Sequence, residues 1–193
     1  MKSVIKHSWL IFLFLLFTNN SAQSIDDIKK QITRNDESLQ HRLDRLEKLV
    51  DDVLWFQRVG DVAFVDKIFM TGPPPAKEKN PTGQGAGNPV KFWSYVFIPK
   101  GIDFNKKYPL IVLPHGGVHA DFTTYYTHII RELMYQQYIV VAAEYRGSTG
   151  YGEGFYKRID YGGLENDDVN ASRKYILDNY DFVDPDRVGI IGW

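Results

Sequence analysis

Arg187-Val-Gly-Ile-Ile-Gly-Trp193 ends the chain with a short apolar run that meets a glycine. Val188 to Ile191 is too short for a buried helix and suits a strand covered on both faces. Two runs of the same kind lie upstream, Pro109-Leu-Ile-Val-Leu113 and Tyr138-Ile-Val-Val-Ala-Ala143. Between the three runs the pattern predicts helices over about 123–137 and 165–180, the second with Asn166, Asp167 and Asp168 complementing the dipole of its first turn. Short apolar strands alternating with helices pair in parallel through helical crossovers. Ahead of them, Val62 to Met70 and Val90 to Ile98 are rich in aromatic and β-branched residues. Val90, Phe92, Ser94, Val96 and Ile98 fall on one face of the second run; Lys91, Trp93, Tyr95 and Phe97 fall on the other. These two strands can pair antiparallel before the parallel part begins. The expected fold class is α/β.

Two loops carry the candidate chemistry. Gly192-Trp193 follows its strand directly. In a nucleophile elbow, Gly-x-Ser-x-Gly occupies a sharp strand-to-helix turn that lifts the serine hydroxyl above the sheet. Gly192 and Trp193 fit its first two positions, so the nucleophile is expected directly after Trp193. Leu113-Pro-His-Gly-Gly-Val118 follows another strand. There a glycine can turn its N–H toward a developing oxyanion, where a preorganised donor lowers the barrier by about 3 kcal/mol. An ordinary strand-to-helix turn also favours glycine.

Three blocks in order, Tyr108-Pro-Leu-Ile-Val-Leu-Pro-His-Gly-Gly117, Glu144-Tyr-Arg-Gly-Ser-Thr-Gly-Tyr-Gly152 and Asp184-Pro-Asp-Arg-Val-Gly-Ile-Ile-Gly-Trp193, resemble the prolyl oligopeptidase family of serine hydrolases over roughly residues 90–193. That family includes dipeptidyl and acylaminoacyl peptidases. The resemblance implies an α/β-hydrolase fold, truncated after the strand leading into the elbow and preceded by an N-terminal helix. It implies that Gly117 supplies one oxyanion-hole N–H and that the residue after the missing serine supplies the other. Arg146 to Gly152 would be a loop that helps to build the site. The order Ser…Asp…His places the whole triad beyond Trp193, so no catalytic residue is expected within these residues, and no cofactor or metal is implied. The intact protein would cleave a small peptide or an ester through an acyl-enzyme. Only about 40 residues separate the leader from the first strand, too few for a propeller of four blades at about 40–45 residues each. Peptidase and esterase therefore both stay open.

The N-terminus has its own logic. Lys2 and Lys6 precede the apolar run Trp9 to Phe17, and small polar residues follow to Ala22. This is a signal peptide over 1–22 with cleavage near Ala22, implying a secreted or periplasmic product. Nine apolar residues fall well short of the ~20 that span a bilayer, so no stable membrane anchor is expected. Residues 23–58 form a charged helical segment in which Leu39, Leu43, Leu46, Val50 and Val53 make one stripe, with Asp44 and Lys48 paired on the wet side. The stripe either packs on the chain's own domain or joins copies through residues 39–53; two heptads favour the former. An alternative function follows, a non-catalytic binding or oligomerisation module. The domain proper is expected over 59–193, interrupted by a loop at 71–89. Gly83-Gln-Gly-Ala-Gly87 in that loop lacks the strand-before, helix-after setting of a phosphate-binding turn.

Composition excludes further classes. The 193 residues carry a net charge of -1 with no basic block, which gives no support to nucleic acid as a partner. Cysteine is absent, so disulfides and thiolate chemistry are excluded. Ser148 in Arg146-Gly-Ser-Thr-Gly150 imitates an elbow, but Arg146 stands where glycine is required. His115, His119 and Asp121 suggest a metal by spacing alone; Gly116 and Gly117 break the helix that would align them, and His115 is expected to be a structural hydrogen-bonding residue beneath the loop. Asn170-Ala-Ser172 is a sequon inside an expected helix.

Overall fold

β1 (Ala63–Thr71), β2 (Lys91–Pro99), β3 (Tyr108–Val112), β4 (Ile139–Ala143) and β5 (Val183–Ile190) form one sheet in the order β1-β2-β4-β3-β5. The computed structural model describes residues 24–78 and 80–192, so the expected signal segment and Trp193 lie outside the described residues. β1 pairs antiparallel with β2 from Ala63↔Pro99 to Thr71↔Lys91, and β2 pairs antiparallel with β4. β3 lies parallel to both β4 and β5. This is a mixed sheet of α/β-hydrolase type, with the two expected antiparallel strands at its start.

The alternation read in β2 decides which side chains build which layer. Tyr95 and Phe97 enter one core with Ile111, Leu113, Val140 and Ala142; Phe92 and Val96 enter the opposite core with Leu110, Val112, Val141 and Ile176. Both faces are covered because the crossovers lie on opposite sides. α2 (Thr127–Tyr135) joins β3 to β4 and buries Ile130, Leu133 and Met134 in the first core. α3 (Glu153–Tyr156) is one turn, and α4 (Leu164–Asn179) joins β4 to β5 and buries Ile176 in the second. Right-handed crossovers to either side of β3 require this exchange of faces.

α1 (Ile25–Val59) precedes the sheet, and the chain divides after Leu39 into two compact units. Within the second unit, residues 40–59 pack on the sheet with an unexpected face. Leu43, Leu46, Val50 and Val53 are 53–69% exposed, while Lys48, Trp55 and Val59 are buried. Leu39, in the first unit, is exposed as well. Lys48 is therefore not the wet partner of Asp44. Its ammonium reaches the Glu144 carboxylate at 2.5 Å and Asp121 at 3.3 Å, and it donates to the Phe122 carbonyl. Glu144 has no exposed surface. A carboxylate left alone at that depth would cost several kcal/mol, so the helix turns its cation toward it. Trp55 completes the choice by stacking on Phe122 at 5.4 Å and meeting Phe97 edge-on at 4.9 Å. Gly150 permits the approach, because a Cβ there would lie 2.8 Å from the Lys48 Cβ.

Asp168 is a second reassignment. It does not serve the dipole of α4 but lies buried, accepting from Arg146 Nε at 2.7 Å and Nη2 at 2.8 Å. Burial raises its pKa and Arg146 opposes that rise. Arg146 Nη2 also donates to the Pro73 carbonyl at 2.8 Å, tying the connector after β1 to the loop after β4.

Candidate active site

The register of β3 on β5 brings the two candidate loops together. Val112 pairs with Ile190, and the Ile191 N–H donates to the Val112 carbonyl at 3.0 Å. Residues 113–117 and 191–192 thus leave adjacent parallel strands at the same carboxyl edge. The chain order also reverses at β3, since β4 pairs on one side of it and β5 on the other. In open α/β sheets this is the place where ligands bind.

Gly117 adopts φ +77°, a region that favours glycine. Its carbonyl accepts the Tyr145 hydroxyl at 2.8 Å, which holds the peptide that follows it, and its N–H has no acceptor among the described residues. Tyr145 stacks on His115 with ring centroids 4.2 Å apart, and burial pushes its phenol up to about 12, so it remains a donor at neutral pH. Gly192 is exposed beyond the end of β5. Beside these loops lies a cleft of about 810 Å³ between β5 and α4, with Gly117, Val169, Arg173, Val188 and Ile190 in its lining.

Ser148 and His115 also come together, in a way their separation in sequence concealed. His115 Nε2 is 2.8 Å from Ser148 Oγ, and Glu144 lies 3.6 Å from the same nitrogen. The set resembles a catalytic triad in composition, but its polarity is wrong. Ser148 Oγ donates to the Tyr145 carbonyl at 2.6 Å, so it can only accept from His115. A catalytic base must receive the hydroxyl proton and be oriented through its other nitrogen. Ser148 and the His115 side chain are also fully buried. Burial lowers the His115 pKa against the pull of Glu144, which keeps the ring neutral at pH 7. The cluster is a brace beneath the Gly117 loop, as expected for His115.

His119 is held elsewhere, against the Gly147 carbonyl at 2.8 Å and stacked on Tyr156 at 3.6 Å. Asp121 accepts from Thr149 Oγ1 at 3.0 Å while facing Lys48. The three residues with metal-like spacing therefore have separate partners. The site-building roles of Lys48, Tyr145 and Asp168 went unread in the sequence.

Residues 124–193 match the model of the prolyl oligopeptidase family. The chain is 36% identical over 106 residues to a probable dipeptidyl-peptidase 5 of Emericella nidulans, covering 53% of the chain and 15% of that protein. It is 35% identical over 96 residues to an uncharacterized peptidase, YuxL, of Bacillus subtilis, covering 49% of the chain and again 15% of the relative. Among solved structures it resembles the uncomplexed acylaminoacyl peptidase of Pyrococcus horikoshii, with a TM-score of 0.54 at 21% identity over 68% of this chain and 19% of that one. The chain thus spans about 15% of the length of the curated relatives it matches.

Proposed function

The chain carries part of a prolyl oligopeptidase-family serine hydrolase domain, and from that premise we propose that the protein cleaves peptide or ester bonds through an acyl-enzyme. The observation that carries this reading is the N–H of Gly117, which has no acceptor among the described residues and lies beside the end of β5. A serine placed one residue after Trp193 would rise at that same sheet edge. Its tetrahedral adduct would direct an oxyanion toward Gly117 N–H and the N–H following the serine. The elbow continues into a helix, which must pack back on the sheet beside β5. The cleft between β5 and α4 has the apolar wall for it in Val169, Val188 and Ile190.

On this reading residues 24–192 supply half of an oxyanion hole and the brace beneath it. The Asp and His that polarise the serine come from later in the sequence. The substrate is a small peptide or an ester, and residues 1–22 direct the protein to a secreted or periplasmic location.

Turnover of ester and aminoacyl-arylamide substrates tests the proposal. Protein extending through the serine after Trp193 and the later Asp and His should be active, whereas residues 23–193 alone should show none. In the active protein, Gly117→Ala strains a left-handed residue and displaces its N–H, so kcat should fall by about 10²–10³. Unchanged kcat in that variant would remove Gly117 from the site.

A further inference from the structure

We infer that the outward face of residues 40–59 in α1 is a self-association surface, occupied by a second copy of this chain. The inward face of residues 40–59 is fully used. Lys48 serves Glu144 and Asp121, Asp51 accepts from the Thr124 N–H and hydroxyl, Asp52 accepts from Lys67 and Tyr95, and Trp55 fills the aromatic core. This polar docking consumes none of the large apolar residues on the other side. Leu43, Leu46, Leu49, Val50, Val53 and Phe56 are each 53–69% exposed.

Their spacing selects the occupant. Leu39, Leu46 and Val53 recur every seven residues, and Leu49 and Phe56 stand three after Leu46 and Val53. This is the a/d seam by which a helix pairs with a copy of itself, each side chain entering a gap between four of the partner's. Arg42 interrupts a d position, and a polar residue in a seam fixes register at some cost in stability. Area agrees with the repeat. The six outward residues of the second unit, each more than half exposed, supply an apolar centre for the ~800 Å² per partner that a stable two-fold interface buries. The inference is independent of the hydrolase reading.

Sedimentation equilibrium of the full protein tests it, beside the double variant L46D/V53D. The expected result is twice the monomer mass at tens of micromolar for the parent, and the monomer mass for the variant with its circular dichroism unchanged. Both positions face away from the sheet, so the domain should tolerate the change. Leu46→Ser, which adds no charge, should weaken association at least tenfold and serves if the double variant fails to fold. A parent that stays monomeric at 100 µM overturns the inference and leaves the face to another segment or partner. A variant that keeps the parent's mass overturns it equally.

Discussion

The two sides of α1 reverse the usual assignment of a surface helix. Its inward side between residues 44 and 59 carries Lys48, Asp51, Asp52 and Trp55, while its outward side carries leucines and valines. An amphipathic pattern identifies a stripe, but the partner surface decides which stripe is buried. Here the partner holds a fully buried carboxylate, Glu144, and an aromatic slot formed by Tyr95, Phe97 and Phe122. A cation and an indole meet those demands better than leucines could.

The sharpest way to break this contrast is at Lys48. Lys48→Met keeps most of the side-chain volume but leaves Glu144 buried without its cation, and should cost about 3–5 kcal/mol in chemical denaturation. A loss below about 1 kcal/mol would mean that Glu144 does not depend on this cation and that Trp55 holds the inward face. The ammonium itself is robust. Burial pulls its pKa down, but Glu144 and Asp121 together hold it above the ordinary 10.5. Its contribution is therefore complete below pH 10.5 and lost only as pH rises through the raised native value.

His115, at the far end of the same cluster, gives a smaller and opposite dependence. Its native pKa lies below the ordinary 6.5 because it is buried. The stability of the neutral ring is present in full above about 6.5 and is lost as pH falls toward and through the native value, with a slope of at most about 1.4 kcal/mol per pH unit. His115→Gln should flatten that acid limb in thermal melts taken between pH 7 and 5. An unchanged limb would assign the acid sensitivity to other groups.

The outward side should respond least. At submicromolar concentration, Leu46→Ser should change the unfolding free energy by no more than about 0.5 kcal/mol, as for an ordinary surface position. The same substitution measured where copies associate should cost more, because dimer stability depends on concentration. Equal effects in both regimes would dissolve the distinction between the two sides.

How much of this was legible in the sequence differs by region in the same way. Strands β1 to β5, the alternating faces of β2 and the 113–117 loop could be read because each depends on local chemistry: a period of two, an apolar run, glycines after a strand. Arg146 against Asp168 and Lys48 against Glu144 could not. Their partners lie 22 and 96 residues apart, and only the fold brings them within 3 Å. A signal was nevertheless present, because Lys48, Asp52, Trp55 and Val59 also keep helical spacing and compete with the leucine stripe for the inner side. The brace of Ser148, His115 and Glu144 was partly readable: Ser148 could be discounted as a nucleophile from Arg146, but its donation to Tyr145 needed coordinates.

Which serine, if any, is the nucleophile decides the proposed chemistry. Labelling the active protein with a fluorophosphonate, followed by peptide mapping, answers this directly. The proposed function predicts a single adduct on a serine next in sequence after Trp193, with Ser148 unmodified. An adduct on Ser148, or none on the serine after Trp193 in protein that turns over ester, would contradict it.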